Sequence, residues 1–588
     1  MTDLARGPRA YFILAAIAAL AALAGLFTLP PLDRDESRFA QATAQMLETG
    51  NFVEINFQDE ERNKKPVGIH WLQAASVAAL SSAEAREIWA YRIPSMFGAI
   101  LAALACFWGG QRLVGREAAF AGAALLAASV MLGIEGGIAK TDAVMTGATT
   151  LALAALAHLR TGGGRRTALL FWFALGLGTL VKGPVTPMVA GLATLTLLVW
   201  EREWRWLKPL FFWPGPLLAA CMVLPWLVSI QIATEGNFLR EAVGMDMGPK
   251  IISAQERHGG WPGYYLLALP LTFFPAILFF IPGLTRLIPA VRGRIDAETA
   301  RKARFLIAWA LPSWLVFELM PTKLPHYVLP TYPALALIAG WGFAELSNTA
   351  NWARWTGWAL FGLSGLIAAL GASLIFMLFT APGPGDPDPL RSAMALAAAS
   401  LFAGLAGATL AADRLRKGML VLVLAVLSGL GWHVMVRGTA LPGAEAVRLA
   451  DRVRAVREMS GEIAGLAPED IVTASSYTEP SLVFSLGTDT HLGTAEDVFA
   501  FAESRDLPTL MVLDLSRDDA LRAAFDGERI ADGPRPEYDL FGRLGALGDC
   551  HREWIPGTNY SRGGDTTLVA VFTRCRTGAP QTPELDDQ

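Results

Sequence analysis

Several short runs of this sequence place Asp, Arg, Lys, His and Tyr where they could hold an anion and prepare a nucleophile. The first reads Asp33-Arg34-Asp35-Glu36-Ser37-Arg38 and stands just ahead of Phe39, Thr43, Met46 and Leu47, which recur at helical spacing up to a stop at Gly50. Asp35 and Arg38 are three apart and share one face near the start of that helix. Free backbone N–H groups there favour an anion. A solvated helix start with capping acids accounts for the same residues equally well. Arg62, Lys64 and Lys65 follow, then Lys140-Thr141-Asp142 with Glu135 nearby. Next come Val181-Lys182-Gly183-Pro184, then Glu256-Arg257-His258 with Pro262, then Thr322-Lys323-Leu324-Pro325-His326-Tyr327. Snorkelling at a membrane boundary explains any one of them. Together they form a charged face suited to an anion, with little in them to say which.

The elements that must position these runs are set by composition. The chain has 588 residues, 53% hydrophobic and 17% charged, against roughly 25% charged in soluble domains. Its mean hydropathy is +0.38. Such a chain turns much of its apolar surface to lipid. Disorder is excluded. A net charge of −4 argues against a nucleic-acid partner, and 4 cysteines in this length do not make a disulfide scaffold.

A nearly uninterrupted apolar run from Tyr11 to Leu29 is long enough to cross a bilayer. A signal peptide is the alternative. Further spans are expected near 94–109, 118–134, 143–159, 168–181, 185–200, 210–230, 263–285, 305–320, 327–346, 355–380, 392–411 and 419–436, about thirteen in all. Basic residues fall on alternate loops, from Arg112 and Arg116 through Arg160, Arg202 and Arg301 to Arg414. By the positive-inside rule the N-terminus is cytoplasmic and everything after about residue 437 is outside. The expected fold is mainly α: a polytopic membrane domain over 1–437, with an outer loop at 31–93, then a small α/β domain at 438–588. In that tail the apolar runs Ile471–Ala474, Leu510–Leu515 and Thr567–Phe572 alternate with helical stretches such as Ala444–Met459. Cys550 and Cys575 both lie in the tail, on the oxidising side, and are expected to pair. Cys106 and Cys221 read as apolar packers inside spans.

Asp35-Glu36-Ser37-Arg38-Phe39-Ala40, then Met46–Phe52, then Lys64-Lys65-Pro66 before His70-Trp71-Leu72 resembles the N-terminal signature of GT-C superfamily polyprenyl-phosphate-sugar glycosyltransferases. The likeness is greatest to bacterial aminoarabinose transferases of lipid A and their relatives near the protein O-mannosyltransferases. Lys140-Thr141-Asp142, Lys182-Gly183-Pro184, His258 with Pro262, and Lys323 to Pro330 resemble the later family blocks in order. The resemblance spans residues 10–440 and names neither sugar nor acceptor. It implies Asp35 as general base or acceptor-orienting group and Asp142 as a second acid. It implies Arg38, Lys65 and Tyr327 on the lipid phosphate. Glu36 and His326 are candidate supports. His258 matches a position that in some relatives shares a metal with an acid just before the lysine. Here Lys64 stands in place of that acid. An ammonium cannot ligate as a carboxylate does, so no tightly bound zinc is expected at that pair; a divalent metal stays open as an alternative, and no other cofactor is expected.

The residue types suit such a transfer without the likeness. A departing lipid phosphate is an anion and needs cations, for which Arg38, Lys65, Lys182 and Lys323 are available. The incoming hydroxyl needs an acceptor for its proton, which Asp35 can be. One-step displacement inverts the anomeric centre. The expected activity is therefore transfer of one sugar from a polyprenyl phosphate to an envelope acceptor, a lipid A type glycolipid first, on the periplasmic face of a bacterial inner membrane. Alternatives are transfer to protein, a glycan ligase or polymerase, and a lipid-linked sugar transporter. A transporter should show ionisable groups near the midplane and paired halves, and neither is evident.

Overall fold

The structure, a computed structural model, describes residues 4–574 except 63, 248–259, 347–348, 380–399, 401, 411–412, 414–417, 445–446, 517, 526–539 and 560–563. Among the described residues, 5 helices are long and apolar enough to cross a membrane, or 6 if one bent pair counts as a span. They include Ile88–Leu113, Asp142–Arg160, Pro214–Ala233 and Gly418–Gly443. Helices also stand at the other expected spans, except that most of 392–411 and the Pro382–Pro389 linker lie outside the described residues.

The spans depart from the expected ones where the backbone ladder breaks. The first helix is Gly7–Leu23 and stops short of Leu29. The expected 118–134 span is two helices, Arg116–Ala127 and Val130–Gly136, bent by 58°. The free backbone groups at that break are re-satisfied: Ser129 Oγ donates to the Leu126 carbonyl at 2.7 Å, and the Val130 N–H donates to the Phe274 carbonyl at 2.9 Å. Likewise 263–285 is Tyr264–Thr272 followed by Ile277–Val291, with Pro275 between them unable to donate to a helix ladder. The span at 327–346 opens as a 3-10 turn, Pro325–Thr331, before Tyr332–Ala344.

Two glycines set a close crossing. A Cβ on Gly98 would stand 2.5 Å from the Val144 nitrogen, and one on Gly147 would stand 2.6 Å from the Gly98 carbonyl oxygen. Their absence lets Ile88–Leu113 and Asp142–Arg160 pack backbone to backbone, as small residues do between membrane helices. This fixes Asp142 at the end of its helix. At the opposite end of the bundle the basic loops meet acids: Arg160 pairs with Glu201, Arg301 with Glu203 at 3.6 Å, Arg286 with Glu345, and Arg354 with Asp413 at 2.6 Å.

The outer loop carries a helix at Asp35–Thr49, closed by Gly50 at φ 70°, where glycine pays no Cβ penalty. A two-residue hairpin follows, β1 (Asn56–Phe57) with β2 (Glu60–Glu61), then the helix Gly68–Leu80. The tail holds a five-stranded sheet of β3 (Val472–Ser475), β4 (His491–Leu492), β5 (Thr509–Asp514), β6 (Asp549–Asn559) and β7 (Gly564–Thr573). Their order is β4-β3-β5-β7-β6, with β3 parallel to β4 and β5, and β7 antiparallel to β5 and β6. All of β5 is buried. Leu510 and Val512 face a core with Val453 of the Leu449–Ala464 helix, while Met511 and Leu513 face one with Val498 and Phe499. This two-sided burial explains why that strand reads as an unbroken apolar run. Cys550 is disulfide-bonded; Cys575 lies outside the described residues. Cys106 and Cys221 are free.

The tail docks on the outer loop. Gln41 Nε2 donates to Thr488 Oγ1 at 2.7 Å, and Gln58 Nε2 donates to the Thr490 carbonyl at 2.6 Å. Tyr91 meets Phe484 edge to face, with ring centroids 5.2 Å apart.

Candidate functional site

The Asp35–Thr49 helix is held at its start by a buried ion pair. Glu36 and Arg92 meet through two contacts, Nε to Oε1 at 2.8 Å and Nη2 to Oε2 at 2.9 Å. Arg92 also donates to the carbonyls of Leu26, Leu29 and Pro30 at 2.9, 2.7 and 2.9 Å. Glu36 accepts from the backbone N–H of Leu32 at 2.9 Å and of Ala139 at 2.7 Å. Its lone pairs and the guanidinium protons are therefore well used, which a buried pair requires. The consequence is positional. Glu36 points inward and locks the chain at Ala139, so the neighbouring Asp35 is presented toward the loop that carries Lys140. The Ser95 hydroxyl, donating to the Lys140 carbonyl at 3.0 Å, secures that loop from the other side.

Asp35 keeps an exposed side chain while being surrounded by protein at longer range. That burial alone would raise its pKa. The charges of Lys140, Arg62, His326 and Arg38 outweigh it, so the carboxyl sits below the usual carboxylate range. Asp35 is thus ionised at neutral pH. Arg62 stacks over the Phe39 ring at 5.0 Å, one turn along the same helix.

A second group lies where three spans end. Asp142 pairs with Lys182 and lies 3.8 Å from His326 Nε2. Glu135 lies 3.5 Å from His326 Nδ1 and 3.6 Å from Lys140 Nζ. Lys182 Nζ sits 5.6 Å from the centre of the Tyr327 ring. Lys65 is half-buried in the turn before Pro66. Pro66 lies against Gly183, where an added Cβ would touch its ring at 4.0 Å. The Lys65-Pro66 and Lys182-Gly183 runs are therefore neighbours.

Thus Asp35, Arg38, Asp142, Lys182, His326 and Tyr327 come to one end of the bundle, with Lys140 and Glu135 between them. Lys323 is placed differently. Its ammonium turns back on the end of the Ala297–Leu319 helix, donating to the carbonyls of Glu318 and of Met320 at 2.8 Å. It serves there as a helix C-terminal cation. His258 lies outside the described residues. Lys64 is exposed and offers no carboxylate to a metal. Among the described residues, no group of 3 or more His, Cys, Asp or Glu could hold a metal ion. A lysine at 64 does not fit the metal pair that the family blocks imply.

Sequence reasoning passed over Arg92. Its signal was present: a lone arginine at the head of an apolar span needs a buried partner. Lys140 and Glu135 were visible beside Asp142 but carried no assigned role.

Comparison with known proteins follows the same lines. Residues 64–228 match the family described as dolichyl-phosphate-mannose-protein mannosyltransferase. An undecaprenyl phosphate-alpha-4-amino-4-deoxy-L-arabinose arabinosyl transferase of Pseudomonas aeruginosa PAO1 is 29% identical over 334 residues, 55% of this chain and 58% of the relative. That of Pseudomonas paraeruginosa is 28% identical over 395 residues, 65% of this chain and 69% of the relative. The structure of ArnT from Cupriavidus metallidurans bound to undecaprenyl phosphate superposes with a TM-score of 0.68 at 18% identity, covering 95% of this chain and 97% of that one. The likeness to this structure, at 18% identity, is one of fold.

The chain spans less than two thirds of the length of the Pseudomonas aeruginosa relative. Its architecture also extends to the Archaeoglobus fulgidus oligosaccharyltransferase, with a TM-score of 0.51 at 12% identity over 86% of this chain and 69% of that one. The charged end of the bundle is built from the Lys65, Lys140–Asp142 and Lys182 runs, all inside the matched stretch, together with Asp35 and His326 outside it.

Proposed function

We propose that this chain is a membrane glycosyltransferase that moves one sugar from a polyprenyl phosphate to an envelope glycolipid. The observation that carries the reading is the ionised Asp35 standing among Lys140, Arg62 and Arg38 at the bundle end that also holds Asp142 paired to Lys182. The cations offset the charge that builds on the lipid phosphate as it leaves. Arg38 can grip two phosphate oxygens, while Lys65 and Lys182 act as point charges beside it. Tyr327, under Lys182, supplies a hydroxyl to the same phosphate. Asp35 accepts a hydrogen bond from the incoming hydroxyl and aligns it for attack opposite the phosphate. Because its pKa is low, it orients and stabilises more than it abstracts. A single displacement inverts the anomeric centre.

The names of the relatives support undecaprenyl phosphate as the lipid and an aminopentose as the sugar; a lipid A type glycolipid as acceptor rests on the sequence resemblance. Transfer to protein is the second reading, favoured by the mannosyltransferase family matched at 64–228. The working arrangement is a transmembrane part over 1–437 and a tail over 438–588 on the catalytic side. The clustering of Arg160, Arg301 and Arg354 at the far end supports placing that end in the cytoplasm. The reaction would then be on the periplasmic face of an inner membrane. The test is mass spectrometry of envelope glycolipids and glycoproteins with and without the protein. A sugar lost from glycolipid supports the first reading, one lost from protein the second, and no change in either refutes both.

A further inference from the structure

The bundle carries a second built feature at the end far from Asp35. The helix Arg165–Lys182 has 18 residues. At ~1.5 Å per residue, its first turn lies roughly 27 Å from Lys182 and the charged cluster. A cavity of about 490 Å³ opens between Trp172 near the middle of that helix, Thr194 near the middle of Val185–Glu201 and the turn Arg205–Phe211. Trp172, Thr194, Leu207, Leu210, Phe211 and Trp213 line it. Its volume is in the range that holds small organic ligands. The floor is fixed, because the Trp172 indole N–H donates to the Leu210 carbonyl at 3.0 Å. The mouth is aromatic and uncovered: Phe211 is 74% exposed and Trp213 69%.

Cations stand on the residues next to the lining ones, Lys208 after Leu207 and Arg165 over Phe212, which follows Phe211. Arg165 lies 5.0 Å over the ring of Phe212, and Lys208 lies 5.7 Å over the ring of Trp204. Arg166 and Arg205 are exposed beside them. The nearby acids are engaged elsewhere, Glu201 with Arg160 and Glu203 with Arg301. An apolar cavity that reaches the turn where spans give way to basic loops, with the exposed Trp213 at its lip, belongs to a membrane–water boundary. Cations gathered between helices at such a boundary attract anionic lipid headgroups.

We propose that this cavity binds an anionic diacyl phospholipid, with one acyl chain in the apolar space and the phosphate at Arg165 and Lys208. The site needs nothing from the transferase reading and stands at the opposite end of the molecule. Full-length protein, stripped of lipid in detergent, is titrated with phosphatidylglycerol and separately with phosphatidylcholine of the same chains, and bound lipid is counted by native mass spectrometry. The wild type should retain phosphatidylglycerol at least fivefold better. Arg165→Ala with Lys208→Ala, both exposed positions, should bring that preference down to the phosphatidylcholine level. Thr194→Phe, which fills the cavity, should reduce retention of both lipids. Equal retention of the two lipids by the wild type would show ordinary annular lipid and overturn the proposal. So would a preference untouched by the double substitution, or full binding in the filled cavity.

Discussion

The Asp33 carboxylate accepts a hydrogen bond from the backbone N–H of Ser481 at 3.0 Å. The contact joins the residue two before Asp35 to the first turn of the tail helix Pro480–Leu486. The tail is thereby fastened beside the group that would orient the acceptor. Burial pushes the Asp33 pKa up to about 6; hydrogen bonding to Ser481 lowers it, and the nearby Glu479 raises it.

This contact gives a pH signature. An acid whose folded pKa lies above its unfolded value holds more protons when folded, so its contribution to stability falls as pH rises from about 4 to about 6. Asp33→Asn removes that loss. The variant should match the wild type near pH 4 and gain on it by pH 6.5, as read by melting temperature in detergent. A difference independent of pH contradicts the assignment.

Asp35→Asn should lower turnover by about 10²–10⁴-fold while leaving the melting temperature within a degree or two of wild type, because Asp35 is exposed and Glu36 does the anchoring. Since its carboxyl already lies below the ordinary range, the wild-type rate should show no acid limb from Asp35 between pH 5 and 8. A limb near pH 6 that vanishes in Asp35→Asn contradicts this electrostatic picture.

Glu36→Gln should cost stability first. It leaves the Arg92 guanidinium buried beside a neutral amide, and breaking such a pair costs about 3–5 kcal/mol. A wild-type melting temperature in Glu36→Gln would mean that the pair does not anchor the helix.

Lys182→Ala removes the ammonium from Asp142 and from the face of Tyr327. A loss of about 10²-fold in kcat/KM is expected, the usual effect of deleting one charge-stabilising donor. Lys323→Ala, whose ammonium caps a helix, should instead act through stability with kcat retained. Steady-state kinetics on both variants separates the two roles, and equal catalytic losses would contradict the placement of Lys323.

Local signals in the sequence were readable. The helical spacing of Phe39, Thr43 and Met46 and the stop at Gly50 describe the Asp35–Thr49 helix closely, because each acts within a turn or two. The Thr509–Asp514 strand was legible as an apolar run for the same reason. Long-range pairings were not. Arg92 and Glu36 are 56 residues apart, and Gln41 and Thr488 are 447 apart; no periodicity carries such contacts. Bends were also hidden, since hydropathy counts apolar residues without registering the break at Ser129. Lys323 looked like its neighbours in type, and only the backbone carbonyls around it set its direction.

The central claim is that Asp35 and the cations around it act together on a polyprenyl-phosphate sugar. Purified protein in lipid nanodiscs, given an undecaprenyl-phosphate-linked aminopentose and a lipid A acceptor, should release undecaprenyl phosphate in step with glycosylated acceptor, both measured by mass spectrometry. Asp35→Asn should release both about 10²–10⁴-fold more slowly. Release of the lipid phosphate at wild-type rate by Asp35→Asn, or none by the wild type with any polyprenyl-phosphate sugar, would contradict it.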